Sequence, residues 1–496
     1  MDFISDIARA IGPSMLVTLI LLLAPTSLVV LYGIYNVYLH PLRGYPGPLL
    51  WRAYRIPYVA STQQGVLHIR LRDFHARYGS IVRIAPNELS YADSTAWKDI
   101  YLNRPGQPVF EKNRTWFKKF APDDPSSIMA FEEDEHARFR RAFSNSFSDK
   151  SLKDQMPVVE SYVDLFINRL KEVSAGSEKT RKTIDMMKWI NYFAFDLSGD
   201  LSFGESFDCL KNGEAHPWVA IAQDFGKGLA LIASVNTYPP IDKLLRYIIP
   251  KEILQRNIDH RAMTAAIARK RLAIDTSRPD FVTPTKAYNE KKNAFTDREW
   301  ELNMLVIAFA ASETAASALT AMVRELLQSR GVLHRLTQEL RSTFTQEEDI
   351  TSASTKNLPY LNAVINEGLR LDPPVVVGVP RITPHPGSMV CNRWVSGGTY
   401  VAYNQFAANR QSYNYSSPNS FLPERFIEQR KGDDMHGFQP FGTGRHSCPG
   451  MKLAYSEMRL VLARLVWGFD MKLGDTKDRW DWGAQKSYML WVSTGI

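Results

Sequence analysis

Cysteine is scarce in this chain: 496 residues hold three, Cys209, Cys391 and Cys448. Three sulfurs exclude a disulfide framework and a four-cysteine cluster. Cys209 and Cys391 are expected to be free thiols of a reducing compartment. No repeat or low-complexity tract interrupts the chain. A glycine-rich dinucleotide fingerprint is missing as well, so no nicotinamide or flavin module is visible. Charge is absent altogether from Ala10 to Leu39. The net charge is +8, but the positive residues are dispersed and carry no recognition motif, which argues against a nucleic-acid partner.

What is present centres on Cys448, in the run Phe441-Gly442-Thr443-Gly444-Arg445-His446-Ser447-Cys448-Pro449-Gly450. The glycines let the backbone curl under the sulfur and offer amide N–H groups to a thiolate. An arginine three residues earlier can meet a carboxylate. These are the needs of a cysteine that ligates haem iron. The pattern F-x-x-G-x-R-x-C-x-G is filled by Phe441, Gly444, Arg445, Cys448 and Gly450. On these residues the stretch resembles the haem-binding loop of the cytochrome P-450 family of haem-thiolate monooxygenases.

Further motifs carry the same resemblance. Glu367 and Arg370 share a helix face ahead of Leu371-Asp372-Pro373-Pro374, which ends the helix, and Pro423-Glu424-Arg425-Phe426 follows. By position they are similar to the family's Glu-Arg-Arg triad, which implies a structural lock made of Glu367, Arg370 and Arg425. Residues Glu301 to Leu327 form a long apolar helix rich in alanine, suited to lying against a flat cofactor. In its middle stand Ser312-Glu313-Thr314. An acid beside an alcohol can relay protons to bound dioxygen, and the resemblance makes Glu313 and Thr314 the catalytic pair. Ala311 and Ala315 depart from the family's usual glycine and second hydroxyl.

His136 and Arg140 lie four apart on one helical face, and with Arg381 and Arg445 they resemble positions that hold the haem propionates. Arg138 and Arg141 are expected to face the surface. The cofactor set is therefore Cys448 as iron ligand, with Phe441, Arg445, His136, Arg140 and Arg381 around a haem b.

Roughly 30 uncharged residues at about 1.5 Å each exceed the ~30 Å hydrocarbon core of a bilayer, so 1–39 reads as a transmembrane anchor. The leader is not basic and no small-x-small cleavage site follows, which disfavours a signal peptide. After the uncharged span, Arg43, Arg52, Arg55, Arg70 and Arg72 precede the next acid, Asp73, and place the bulk of the chain on the cytosolic side. Asn113-Arg114-Thr115 and Asn414-Tyr415-Ser416 fit the glycosylation pattern, but on that side they are coincidences. Residues 40–48 form a stiff Pro/Gly-rich connector, and 49–496 form one catalytic domain.

Helical patterns dominate that domain: Gln155–Ser174, Ile184–Leu201, Pro250–Ile274, Arg298–Gln328, Tyr360–Leu371 and Met451–Trp467. Short β-prone runs stand at Ile81–Ile84 and Thr399–Tyr403. The expected fold is mainly α with small β-sheets, the cytochrome P-450 fold behind one N-terminal transmembrane helix. The resemblance implies an endoplasmic-reticulum, single-pass monooxygenase of the fungal microsomal type. It would oxidise a lipophilic secondary-metabolite intermediate with O2 and electrons from a separate NADPH-dependent reductase, for which the dispersed basic charge offers a docking face. The alternatives are a reductase-independent haem-thiolate isomerase or peroxide-driven enzyme, and a non-catalytic membrane haem protein.

Overall fold

The computed structural model describes residues 13–117, 119, 124–129, 132–175, 183–238, 244, 251–428, 432–474 and 482–492. Helix α1 (Pro13–Ile34) contains Pro25 and runs into a π-turn at Tyr35–Leu39. The first twelve residues of the expected anchor lie outside the described set. Leu23, Leu28, Val29, Val30 and Leu31 are exposed, so α1 leaves its apolar surface uncovered. Its C-terminal end is docked: the Tyr54 hydroxyl donates to the Val29 carbonyl at 3.0 Å, and Asn36 donates to the Ala53 carbonyl at 2.8 Å. Gly33 permits this approach, because a Cβ there would stand 2.3 Å from the Tyr54 oxygen.

The connector is bound as well. Leu42 and Tyr45 are buried, and the Arg83 amide donates to the Pro46 carbonyl at 2.7 Å. It therefore lies against the first strand of a sheet instead of swinging free.

The strands in chain order are β1 (Ile81–Ala85), β2 (Glu88–Tyr91), β3 (Glu111–Lys112), β4 (Arg381–Ile382), β5 (Gly387–Val390), β6 (Arg393–Ser396), β7 (Tyr400–Tyr403), β8 (Ser487–Tyr488) and β9 (Leu490–Trp491). Five of them form one sheet in the order β1-β2-β7-β4-β3, and β5-β6 and β8-β9 are hairpins. Both runs expected to be strands thus meet in one sheet, where β2 and β7 run parallel with Leu89 opposite Val401. At the far edge β3 pairs with β4, which sets Lys112 opposite Arg381.

The helices that build the core are α2 (Glu133–Phe143), α3 (Asp149–Ser174), α4 (Met186–Phe203), α5 (Lys251–Ala273), α6 (Asp297–Gln328), α7 (Pro359–Leu371) and α8 (Met451–Gly468). They match the expected segments closely, except that α3 begins at Asp149 rather than Gln155. Ser148 caps it by accepting the Ser151 amide at 3.3 Å, and the helix continues through Pro157.

Helix α4 is buried at every position from Trp189 to Phe203, as expected of a helix at the centre of a large core. Beside it runs α6, started by a reciprocal capping box in which Thr296 and Glu299 satisfy each other's backbone amides. By length and composition α6 can cross a membrane, but 72% of that apolar window is buried inside the protein. It is a core helix.

Candidate active site

The lock comes together as the motif spacing predicts. Arg370 donates two hydrogen bonds to Glu367 at 2.7 and 2.9 Å, and Arg425 Nε donates to the same carboxylate at 3.1 Å. All three side chains are fully buried. Arg370 also satisfies the carbonyls of Asn409 and Pro418, and the Leu422 amide donates to Glu367 at 2.8 Å. Asp433 pairs with Arg425 and brings the network to two acids and two bases. Nothing in the spacing pointed to Asp433, which lies 8 residues beyond Arg425.

The cysteine loop begins where this network ends. The Gly442 amide donates to Gln439, and the Cys448 amide closes the loop on the Phe441 carbonyl at 2.8 Å. Gly442 and Gly444 have φ of +66° and +73°, backbone angles that side-chain-bearing residues rarely adopt. A Cβ on Gly444 would also meet the Tyr101 carbonyl at 2.4 Å, whereas one on Gly442 would meet nothing within 4 Å. The Phe441 ring packs on Tyr455, 5.1 Å between centroids.

Cys448 is exposed, although protein surrounds its thiol closely enough that desolvation pushes its pKa up against the Gly450 amide and Arg140, which pull it down. A group that is both enclosed and accessible opens on a hollow within the fold. The other two cysteines differ. Burial pushes the Cys209 thiol up to about 12 and that of Cys391 higher still, and both are unbridged.

Helix α6 also opens on free space at its middle. From Ser312 to Leu326 every residue is buried except Thr314, and just before them Ala310 is exposed. The Thr314 hydroxyl donates to the Ala310 carbonyl one turn earlier, at 2.7 Å. Glu313 is 8% exposed with one carboxylate oxygen buried and unpartnered, and desolvation raises its pKa to about 7. A carboxyl that titrates near neutrality can both take and give a proton.

Around the loop stands a wall of cations. Arg381 is 3% exposed, stacks on Tyr101 and keeps one guanidinium nitrogen buried without a hydrogen-bond partner. Lys112, directly across the strand pair, is 4% exposed. Desolvation, with Arg381 adding to it, lowers the Lys112 pKa to about 7. His136 is buried with its ring 4.1 Å from that of His446. Burial, then nearby cations, lowers both histidines, His446 to about 4.

Arg445 and His446 both contact Glu133, at 3.0 and 2.9 Å. Burial alone pushes Glu133 up, but the hydrogen bonds and charges of His446 and Arg445 hold it at about 2. Like charges directly opposite in a sheet repel, and buried charges need partners. A wall so rich in positive charge therefore fits an anionic ligand edge.

Not every expected contact joins this wall. Arg140 donates to the Ser447 carbonyl at 2.6 Å, beside Cys448, so it faces the loop backbone. Arg138 is no free surface charge. It pairs with Glu299 at 2.7 Å and ties α2 to the start of α6. Lys112, Glu133 and His446 escaped the sequence reading, and only His446, adjacent to Arg445, carried a signal that could have found it. Asn113 and Asn414 are buried, so neither glycosylation pattern is accessible.

The donor set fits haem. Cys448 is exposed, the cations near its loop include an orphaned guanidinium N–H on Arg381, and the space beside Gly442 is open. Residues 44–491 match the cytochrome P450 family, and the chain belongs to it. Members hold haem through a cysteine thiolate on the iron, and the chain is an oxygenase-type enzyme.

Its relatives include fungal monooxygenases of secondary metabolism. The cytochrome P450 monooxygenase astJ of Aspergillus oryzae is 40% identical over 465 residues, 92% of this chain and 91% of that protein. The monooxygenase atr2 of Stereocaulon alpinum is 40% identical over 459 residues, covering 92% and 90%. Versicolorin B desaturase of Aspergillus parasiticus is 37% identical over 466 residues, covering 92% of each.

Proposed function

We propose that the chain is a membrane-anchored monooxygenase that oxidises a lipophilic secondary-metabolite intermediate, drawing electrons from NADPH through a separate reductase. The observation that carries this reading is an exposed Cys448 that ends a loop whose Arg445 and His446 stand among the cations Lys112 and Arg381. Cys448 is the residue that would ligate the iron. Phe441 braces the loop, Gly450 and Arg140 favour the thiolate, and Arg381, Arg445, Lys112 and His136 would hold the propionates. The bound haem supplies the activation of dioxygen, to which the thiolate contributes electron density.

The chain's own part on the other side is proton delivery and exclusion of water. Glu313, protonated below about pH 7, can feed Thr314, whose hydroxyl leaves the Ala310 carbonyl to serve the ligand. The alanines flanking the pair keep that wall dry. Electron supply falls to a partner because the sequence holds no dinucleotide fingerprint. The desaturase relative favours a second outcome from the same site, removal of two hydrogens in place of oxygen insertion.

Helix α1 is the anchor in this reading, with 1–39 in the membrane, 40–48 as connector and 49–496 as the cytosolic catalytic domain on the endoplasmic reticulum. The exposed Leu49, Leu50 and Ile56 beyond the connector extend the apolar face onto the domain.

The test is turnover by the full chain in microsomes, with substrates drawn from metabolites that accumulate when the gene is deleted. Product formation should need both NADPH and reductase. Equal turnover with peroxide alone would overturn the reductase dependence.

A further inference from the structure

The first turn of α2 carries three acids, Glu133, Asp134 and Glu135, which suits a helix N-terminus. Their tasks differ. Asp134 is exposed, and Glu135 reaches the Ser126 hydroxyl. Glu133 crosses to the cysteine loop, where it accepts from Arg445 Nη1 at 3.0 Å and from His446 Nε2 at 2.9 Å. Positions 133, 136 and 140 share one helical face, and the other two also meet the loop. The His136 ring packs against His446, tilted by 39°, with Nε2 3.4 Å from the Arg445 carbonyl, and Arg140 donates to the Ser447 carbonyl at 2.6 Å.

One helix face thus grips residues 445, 446 and 447 in turn, and the next residue is Cys448. Of the three grips, Glu133 alone is anionic. It sets its charge among Lys112, Arg381, Arg445 and His446, with Glu132 the other acid close to Lys112.

We propose that Glu133 is a positioning residue: it is the counter-ion that holds Arg445 and His446, and through them the Cys448 loop, and its charge lowers the reduction potential of the haem bound there. The inference rests on the haem-thiolate reading above. A negative charge near the iron favours its more positive, ferric state, and local charge is one of the levers by which a protein sets that potential. Without it, Arg445 and His446 lose a partner and the loop loses one of its three ties to α2.

The test uses the full-length haem protein, wild type against Glu133→Gln, with Asp134→Asn as a control that removes the same charge one residue away on the exposed side. Two readouts are taken, the reduction potential and the fraction of carbon-monoxide complex that keeps the thiolate band on storage. Glu133→Gln should shift the potential to more positive values and lose thiolate-ligated haem several-fold faster, while Asp134→Asn moves neither. A potential in Glu133→Gln equal to wild type, or shifted no further than in Asp134→Asn, would overturn the proposal.

If Glu133→Gln yields no haem protein, Glu133→Asp decides the matter. An unshifted potential there supports the charge argument, and a positive shift contradicts it. Absence of the thiolate band from the wild type would instead sink the haem-thiolate reading itself.

Discussion

Two ionic networks stand near the same loop and are built on opposite principles. In the first, Glu367, Arg370, Arg425 and Asp433 balance two negative against two positive charges, and carbonyls take up further N–H groups of both arginines. In the second, Lys112, Arg381, Arg445 and the histidines 136 and 446 crowd around Glu133, and Arg381 keeps an unpartnered nitrogen. A balanced network is complete and serves geometry. An unbalanced one is costly by itself and makes sense as a seat for anions. Charge balance thus separates scaffold from binding site.

The difference predicts opposite responses to mutation. The largest effect is expected in the balanced network. Glu367→Gln leaves two buried guanidiniums short of a counter-charge, at a cost of about 3–5 kcal/mol, a large share of a domain's total of about 5–15 kcal/mol. Expression of soluble haem protein should collapse, as recovery from a matched preparation would reveal; near-normal yield would break the comparison.

Arg381→Met tests the other side. Removing a repelled cation should leave the unfolding midpoint of the haem-free chain unchanged or raised. Haem loss to an acceptor should quicken by about 10- to 100-fold, for a charge-assisted hydrogen bond worth ~1.5–3 kcal/mol. Destabilisation of the haem-free chain as severe as that of Glu367→Gln would erase the distinction.

Effects at α6 should be confined to turnover. Thr314→Ala should leave haem content intact and divert electrons from product to hydrogen peroxide, with product formation down by about 10²-fold, the lower end for a direct proton-relay group. Glu313 adds a pH signature. Burial raises its pKa to about 7, so it carries a proton below that pH and is ionised above it. Coupling of NADPH to product should fall as pH rises through about 7 in the wild type and be lower but flat in Glu313→Gln. A wild-type profile without that inflection would remove Glu313 from the relay.

The smallest effect on the site is expected from deleting residues 1–31, which keeps Asn36 on Ala53 and Arg83. The truncated chain should leave the membrane fraction in large part, retained weakly through Leu49, Leu50 and Ile56, with its haem spectrum unchanged. Equally tight membrane binding would rule out α1 as the anchor.

What could be read in the sequence was whatever is local. The cysteine loop, the Glu367–Arg370 pair on one helix face and the alanine-rich α6 each declare themselves within a dozen or so residues, and the long helices follow from periodicity and caps. What could not be read depends on register and chain return. Lys112 matters because a two-residue strand sets it opposite Arg381, 269 positions away in sequence (381 − 112). Glu133 lies in an acid run that looks like ordinary helix-start charge until the fold sets it on Arg445 and His446. Arg138 looked like surface for the same reason, since its partner Glu299 belongs to another helix.

The account stands or falls on whether the loop between these networks presents a thiolate to iron. The direct measurement is the carbon-monoxide difference spectrum of the reduced full-length chain, wild type beside Cys448→Ala, with circular dichroism to verify the fold. The wild type should show the band of thiolate-ligated haem, and Cys448→Ala, still folded, should lose it. A band that survives unchanged in Cys448→Ala would contradict the assignment.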